Sequence, residues 1–219
     1  MRVEVKICGI NSEAARDAAV AAGADYLGFV FYPPSPRAIA PERFAELVAE
    51  VPASVRVVAV FVRPSEEEVR AVVEAGRVDL VQLHGEGGLA AVRRAFGGPV
   101  IRACPVAERA DVQAALALAG EADYLLFDAK PPPDARLPGG NALAFDWRLL
   151  GDLPDTLRWF LAGGLRADNV ARAVAICGAR RVDVSSGVEE RPGVKDPARI
   201  RAFVRAARGL EVDGGGLGA

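Results

Sequence analysis

Two short segments in the last third of the chain have the residue types of an anion-binding site. Ala162–Leu165 and Ser185–Val188 each follow a short apolar run and contain glycine. Glycine lets backbone N–H groups approach an anion closely, and a short helix after the second segment would add a positive end. The same glycines would suit plain tight turns, but two such segments after consecutive strands favour phosphate binding. The residues predicted to bind phosphate are Gly163, Gly164, Ser185, Ser186 and Gly187.

The first predicted strand places a thiol beside an amine. Lys6 and Cys8 are two residues apart, so their side chains point to the same face of a strand. A thiol whose pKa is lowered by a nearby positive charge can act as a base or a nucleophile. A free cysteine also commonly serves as a small buried hydrophobic residue, so the position of Cys8 leaves both interpretations open.

Asp128 follows the apolar run Tyr124–Phe127 near the end of another predicted strand. A carboxyl group in a partly desolvated position has a raised pKa and can act as a general acid. A helix cap or a salt bridge to Lys130 would explain the same residue without catalysis.

Three further polar residues are predicted to contact a substrate. His84, the only histidine, ends a predicted strand, although single histidines are more often structural; no cluster of ligands accompanies it, so no metal site is predicted. Arg37 follows the proline-rich segment Pro33–Pro36, which stiffens the loop and would aim the guanidinium at a carboxylate. A solvated loop charge is the alternative for Arg37. Asp183 lies near the end of the last predicted strand.

The elements that would position these residues alternate between β-rich and helical runs. The predicted strands are Val3–Ile7, Tyr26–Phe31, Val55–Phe61, Leu80–Leu83, Val100–Ala103, Tyr124–Phe127, Trp159–Leu161 and Arg181–Val184. The predicted helices are Ser12–Ala22, one from Pro41, one capped by Ser65 and Glu68, one from Gly88, Glu108–Leu118, a short one at Phe145–Leu150, Asp168–Ile176 and Pro197–Arg208.

Eight consecutive β–α units with no leftover domain predict an α/β fold, a single (β/α)8 TIM barrel over residues 1–210. The alternative, an open doubly wound sheet, usually carries a glycine fingerprint after its first strand, whereas this chain has Cys8–Asn11 there. Residues 211–219 are predicted to form a flexible tail. The long loop Lys130–Ala144 is rich in proline and glycine, and loops of this length in compact domains are often lids.

A repeated pattern precedes the second, fourth and sixth strands. Each of these strands follows a glycine and, two or three residues later, an aspartate: Gly23 with Asp25, Gly76 with Asp79, and Gly120 with Asp123. The glycines are interpreted as helix C-caps. These turns belong to the face of a barrel that supports stability, and the opposite face should carry the chemistry.

Composition narrows the classes of partner and compartment. The chain has 219 residues and a formal net charge of −2, so no global field favours nucleic acid or an anionic membrane. The cysteines Cys8, Cys104 and Cys177 form no CxxC pair, which argues against a disulfide framework or zinc site and favours a reducing cytoplasm. We see no signal peptide and no apolar run long enough to span a membrane.

The ordered set of motifs resembles the phosphoribosylanthranilate isomerase family, barrel enzymes of tryptophan biosynthesis, over nearly the whole chain. The matching segments are Lys6–Ile10, Gly28–Phe31, Ser35–Arg37, Val60–Val62, Val81–Gly85, Phe127–Asp128, Phe145–Trp147, Ala162–Leu165, Asp183–Glu189 and Pro192–Asp196. Where the family usually has threonine after the first motif, this chain has Asn11, which could still cap the next helix.

The resemblance implies a specific reaction. It is the Amadori rearrangement of N-(5'-phosphoribosyl)anthranilate to 1-(2-carboxyphenylamino)-1-deoxyribulose 5-phosphate, the third step of tryptophan biosynthesis from chorismate. In such an enzyme Asp128 would be the general acid, Cys8 the general base, and Arg37 the contact for the anthranilate carboxylate. The substrate would be a phosphorylated small molecule, no cofactor or metal would take part, and a homodimer is possible.

Two other classes of function compete with this interpretation. A sugar-phosphate epimerase on the same fold usually needs metal-binding histidines and aspartates, and one histidine is too few. A barrel that only binds a phosphorylated metabolite would not need both Cys8 and Asp128.

Overall fold

A computed structural model describes residues 2–131 and 144–209 of the chain. The predicted tail at 211–219 and nearly all of the long loop at 130–144 lie outside the described residues.

The described residues contain a closed eight-stranded parallel barrel, which confirms the predicted fold. The barrel strands are β1 Glu4–Cys8, β2 Tyr26–Phe31, β3 Arg56–Val62, β4 Leu80–His84, β5 Val100–Val106, β6 Tyr124–Ala129, β7 Trp159–Leu161 and β8 Arg181–Val184. The helices are α1 Glu13–Ala22, α2 Pro41–Ala49, α3 Glu66–Ala75, α4 Leu89–Ala95, α5 Arg109–Ala117, α6 Val170–Cys177 and α7 Pro197–Arg208. The predicted Ser65–Glu68 capping box is present at the start of α3.

Alternation along the strands divides the buried side chains into two layers. One set lies between the strands and the surrounding helices, and the other fills the barrel interior. In the interior, the Phe160 ring packs edge-on against Tyr26, with the ring centroids 5.2 Å apart, and tilts against Tyr124. Further along the strands the interior becomes polar, because Lys6, Gln82 and Asp183 are all buried there.

The repeated aspartates before β2, β4 and β6 share one role. Asp25 accepts a hydrogen bond from the backbone N–H of Val5 on β1, at 2.8 Å. Asp79 does the same for Val57 on β3, and Asp123 for Val100 on β5. Each carboxylate therefore ties an even-numbered strand to its odd-numbered neighbour. The preceding glycines are less regular, since Gly23 is the only one that forms a left-handed C-cap, while Gly76 is extended and Gly120 lies in a turn.

Apart from small shifts in the bounds of several elements, the structure departs from the sequence expectations at three points. Ser12, rather than Asn11, caps α1. The sixth helical position is a short 3-10 helix, Trp147–Leu150. The short helix expected after β8 is a three-residue 3-10 turn, Ser186–Val188. An unpredicted antiparallel hairpin of β9 Glu189–Arg191 and β10 Val194–Lys195 follows it.

Candidate active site

Lys6 and Asp183 form a buried ion pair where the first and last strands meet. The two residues are in register on β1 and β8, and Lys6 Nζ lies 2.9 Å from Asp183 Oδ1. Burial alone would lower the pKa of Lys6, but the charges of Asp183 and of the neighbouring Cys8 raise it overall. Lys6 is therefore charged. Asp183, which was predicted to contact substrate, has one carboxylate oxygen occupied by a protein partner.

Gly28 of β2 leaves the space in which the Cys8 thiol and the Lys6 amine lie side by side. A Cβ atom at position 28 would come 2.9 Å from Cys8 Sγ and 3.0 Å from Lys6 Nζ. Burial raises the pKa of Cys8, and the opposite effect of the Lys6 charge is smaller. The proximity of the amine is as predicted, but the thiol pKa is raised rather than lowered.

Asp128 lies on β6 at the same end of the barrel. Its Oδ1 accepts a hydrogen bond from the backbone N–H of Ala129 at 2.9 Å. Although part of the side chain reaches the barrel mouth, desolvation and then the charge of Asp183 raise the pKa of Asp128 to about 7. Lys130 pairs with Asp111 instead, with Nζ 2.9 Å from Oδ1, so the salt bridge that could have explained Asp128 is not formed.

The two glycine-containing loops after β7 and β8 touch each other and the Asp128 segment. A Cβ atom at Gly163 would lie 2.6 Å from the Ala129 backbone nitrogen, and Gly163 has a positive φ of 84°. A Cβ atom at Gly187 would lie 1.9 Å from the Leu165 carbonyl oxygen. The backbone N–H groups of Gly163 and Gly164 have no hydrogen-bond acceptor within the described residues. The predicted phosphate-binding residues are thus brought together beside Asp128.

Arg37 is buried and its guanidinium is held by Glu189. Nε lies 2.8 Å from Oε1 and Nη2 lies 2.8 Å from Oε2, a bidentate pair. The Nη1 group has no acceptor within the described residues. The alternative of a solvated loop charge is therefore wrong, and the side of the guanidinium fork that carries Nε and Nη2 is already occupied by a protein carboxylate.

His84 pairs with Gln82 on the same strand. Gln82 Nε2 lies 2.7 Å from His84 Nε2. Burial, followed by the charges of Lys6 and Arg102, lowers the pKa of His84 to about 4. The imidazole is therefore neutral at physiological pH and can donate or accept a hydrogen bond without carrying charge.

Sequence reasoning did not assign a role to Glu189 or Lys195. Lys195 Nζ lies 2.7 Å from Glu189 Oε1 and 3.0 Å from the carbonyl oxygen of Ser185. Both residues lie in segments that carry the family resemblance, but the hairpin that buries them has no clear signal in the sequence. The residues brought together at the barrel mouth are Lys6, Cys8, Asp128 and Asp183, while Arg37 joins the strand-8 loop through Glu189 and Lys195.

The described residues show neither a metal-binding cluster nor a membrane-spanning helix. Within residues 2–131 and 144–209, no group of three or more His, Cys, Asp or Glu side chains is placed to hold a metal ion. None of the helices in these two ranges has the length and apolar character needed to cross a membrane.

The sequence is similar to those of known proteins over nearly its whole length. The family model described as N-(5'phosphoribosyl)anthranilate (PRA) isomerase matches residues 5–206. The chain is 52% identical over 212 residues to the N-(5'-phosphoribosyl)anthranilate isomerase of Paramagnetospirillum magneticum, covering 95% of this chain and 99% of the relative. It is also 52% identical over 214 residues to the enzyme of the same name in Rhodospirillum centenum, covering 96% and 100%.

Solved structures agree with the sequence comparison. The phosphoribosyl anthranilate isomerase of Thermotoga maritima superposes with a TM-score of 0.85 at 38% identity, covering 95% of this chain and 100% of that one. A phosphoribosyl anthranilate isomerase in complex with reduced 1-(o-carboxyphenylamino)-1-deoxyribulose 5-phosphate gives a TM-score of 0.82 at 37% identity, with the same coverage. The chain is therefore an isomerase that belongs to the N-(5'-phosphoribosyl)anthranilate isomerase family.

Proposed function

We propose that the chain carries out the isomerase step of tryptophan biosynthesis by general acid–base catalysis, with Asp128 as the acid and Cys8 as the base. The observation that carries the proposal is that both groups lie at the same end of the barrel, where the charges of the buried Lys6–Asp183 ion pair act on both. The pKa values of the two groups differ: that of Asp128 is about 7, and that of Cys8 is raised above the ordinary thiol value. Two titratable groups in one pocket suit an acid and a base, and because Asp128 has the lower pKa, the active form with a protonated Asp128 and a Cys8 thiolate is a minor fraction.

The proposed reaction balances its protons within the site. Protonated Asp128 gives its proton to the furanose ring oxygen, the bond from that oxygen to C1 breaks, and the nitrogen lone pair forms an iminium. The Cys8 thiolate then removes the proton from C2, which gives an enolamine. The enolamine becomes the ketone when a proton moves from the C2 hydroxyl to C1. The proton gained by Cys8 returns to Asp128 before the next cycle.

Anchors at the two ends of the substrate would hold the ribose between these groups. The glycine-containing loops after β7 and β8 are proposed to bind the phosphate through Gly163, Gly164, Ser185, Ser186 and Gly187. The Nη1 group of Arg37 is proposed to bind the anthranilate carboxylate. Fixing both ends aligns the reacting atoms and removes much of the entropic cost of the reaction.

Two polar residues are proposed to contact the ribose. Asp183 Oδ2 makes no hydrogen bond to a described residue and could accept one from a sugar hydroxyl, because Lys6 occupies only Oδ1. Neutral His84 is suited to a hydroxyl rather than to a charged group. The proposed mechanism uses protein side chains alone, without a metal or cofactor.

The test is a fluorescence assay that follows the loss of phosphoribosylanthranilate with the purified chain in the presence of EDTA. We expect turnover in EDTA, and Cys8→Ser and Asp128→Asn should each lower kcat by roughly two to four orders of magnitude. Both variants should still bind a reduced product analogue. Near-normal turnover in either variant, or activity that requires added metal, would overturn the proposed roles.

Assembly and location are part of the same proposal. The described cysteines Cys8, Cys104 and Cys177 are free and buried, as expected for a protein of the reducing cytoplasm. One similar solved structure is of monomers generated from a dimeric enzyme of Thermotoga maritima. Whether this chain forms a homodimer as well is tested directly by light scattering on the purified protein.

A further inference from the structure

The hairpin after β8 carries two charged residues that are almost completely buried. The Lys195 side chain is 0% exposed and the Glu189 side chain 3%. Removing charged groups from water is costly unless they are paired and hydrogen-bonded. Both are paired here, because Lys195 Nζ lies 2.7 Å from Glu189 Oε1. A buried pair on a surface hairpin next to the candidate active site calls for a functional explanation.

The pair reaches both proposed substrate anchors. The Lys195 ammonium donates to the Ser185 carbonyl oxygen at 3.0 Å and lies 3.2 Å from Ser185 Oγ. Ser185 belongs to the loop that is proposed to bind phosphate. The Glu189 carboxylate accepts two hydrogen bonds of 2.8 Å from Arg37. Arg37 is the residue that is proposed to bind the carboxylate of the substrate. One carboxylate oxygen, Oε1, is shared between Arg37 Nε and Lys195 Nζ.

The backbone of the hairpin is also fixed against the Arg37 loop. Gly193, at the hairpin turn, has a positive φ of 81°, and a Cβ atom there would lie 2.4 Å from the Pro36 carbonyl oxygen. Asn11 donates from Nδ2 to the Gly193 carbonyl oxygen at 2.9 Å. The departure from the family at position 11 therefore contributes to holding the hairpin rather than to capping α1.

The network carries excess positive charge. Arg37 and Lys195 bring two cations and Glu189 one anion, all with side chains no more than 7% exposed. An anionic ligand would compensate this charge, and so would the thiolate form of Cys8, because the Lys195 charge acts to lower the pKa of that thiol. The network thus places a net positive charge beside both proposed substrate anchors.

We propose that Glu189 and Lys195 are positioning residues: Lys195 fixes the strand-8 phosphate loop through Ser185, and Glu189 fixes both Arg37 and Lys195. The two anionic anchors of the substrate then depend on one buried carboxylate. This inference rests on the proposed function, and it predicts an asymmetry. Loss of Lys195 weakens the phosphate end, whereas loss of the Glu189 charge weakens both ends.

The experiment measures each end separately with two probes, inorganic phosphate and anthranilate, whose dissociation constants are obtained by NMR titration without turnover. In Lys195→Met we expect phosphate binding to weaken roughly ten-fold or more, with a much smaller change for anthranilate. In Glu189→Gln we expect both to weaken. Electrostatics alone predicts the opposite for Glu189→Gln, since removing a negative charge should strengthen anion binding. Lys195→Arg, which keeps the cation, should recover part of the phosphate affinity.

The matched control is Glu4→Gln. Glu4 also pairs with an arginine, Arg181, at 3.0 Å, but it lies at the opposite end of the barrel, so probe binding should not change. If Glu189→Gln and Lys195→Met lower the melting temperature yet bind both probes like the wild type, the pair is only a scaffold and the inference is wrong. Should Glu189→Gln fail to fold, Glu189→Asp, which keeps the charge but shortens its reach, gives the same test.

Activity and probe binding together distinguish a failure of the proposed function from a failure of the proposed positioning role. A wild-type chain that fails to convert phosphoribosylanthranilate contradicts the proposed function, whatever the probes show. A wild-type chain that converts it, combined with unchanged probe affinities in both variants, contradicts only the positioning role. In an active chain, both variants should raise KM, because they act on the anchors. Lys195→Met should also move the Cys8 limb of the pH profile to higher pH, because it removes a cation that lowers the pKa of that thiol.

Discussion

Lys6 and Asp183 lie in register on the first and last strands of the barrel, and their side chains form an ion pair 2.9 Å long that is almost completely buried. Both proposed catalytic groups respond to this pair. The negative charge of Asp183 raises the pKa of Asp128 and of Cys8, while the positive charge of Lys6 acts to lower both. Burial is the largest cause of both raised pKa values, and the ion pair adjusts them on two different strands.

The first prediction concerns the pH dependence of kcat/KM. The acid has a pKa of about 7 and the base a higher one, so the form with a proton on Asp128 and a thiolate on Cys8 is a constant minor fraction between the two values. We expect kcat/KM to rise as the pH increases to about 7, to level off, and to fall only above the pKa of Cys8. For the residual activity of Asp128→Asn, kcat/KM should no longer level off near pH 7. A limb that persists there would belong to the substrate or to another residue.

The second prediction uses the ion pair itself. Asp183→Asn removes the negative charge that raises both pKa values, so both limbs of the profile should move to lower pH. Lys6→Met removes the positive charge that lowers them, so both limbs should move to higher pH. Turnover is expected to fall in both variants, and the diagnostic measurement is the opposite direction of the shifts. Shifts in the same direction would contradict the electrostatic role of the pair.

The third prediction concerns stability. Asp128 binds its proton more tightly in the folded protein, where its pKa is about 7, than in the unfolded chain, whose reference value is 3.8. Its contribution to folding is therefore fully present below pH 4 and is lost as the pH rises through 7. Asp128→Asn abolishes this loss, so above pH 7 the variant should exceed the wild type in free energy of unfolding. The gain should be a few kcal/mol at most, since one pKa unit is about 1.4 kcal/mol. Urea denaturation at pH 5 and pH 8 checks it, and an equal difference at both pH values would contradict it.

The fourth prediction separates the stabilising face of the barrel from the catalytic face. Asp79 accepts a hydrogen bond of 2.7 Å from the Val57 backbone N–H, at the end of the barrel away from Cys8 and Asp128. Asp79→Ala should lower the free energy of unfolding by about 1–3 kcal/mol, because the N–H loses a charged acceptor. Asp79→Asn keeps an acceptor oxygen and should lose less. In both variants kcat and KM are expected to stay at the wild-type values, and a reduced kcat would place Asp79 in the catalytic machinery.

The alternation of β-rich and helical runs was sufficient to predict the barrel. The predicted bounds of β2, β7, β8 and α7 match the structure because turn residues and caps mark both of their ends. Other ends were displaced by one to three residues, as in β5, which continues through Pro105 to Val106 although proline usually marks the end of a strand. The hairpin β9–β10 was not predicted, because its strands of three and two residues are too short to show a periodic pattern.

The site could be predicted only in part. Polar residues that end a strand were identified correctly as neighbours, because the topology of a parallel barrel brings strand ends together. The raised pKa of Cys8 could not be predicted, since it depends on the balance between burial and the Lys6 charge. The partner of Arg37 was also not predictable, because Glu189 is 152 residues away in the chain and reaches Arg37 only through the folded hairpin.

The last prediction concerns Arg37. With Nε and Nη2 held by Glu189, the guanidinium is fixed before substrate arrives, so little side-chain entropy is lost when the carboxylate binds Nη1. Arg37→Ala should raise KM roughly ten-fold or more, with a smaller effect on kcat, because the contact is made in both the ground state and the transition state. Arg37→Lys keeps the charge but cannot form the bidentate pair with Glu189, so it should recover only part of the affinity. Steady-state kinetics with phosphoribosylanthranilate decide the matter: a KM for Arg37→Ala equal to that of the wild type would show that the carboxylate binds elsewhere.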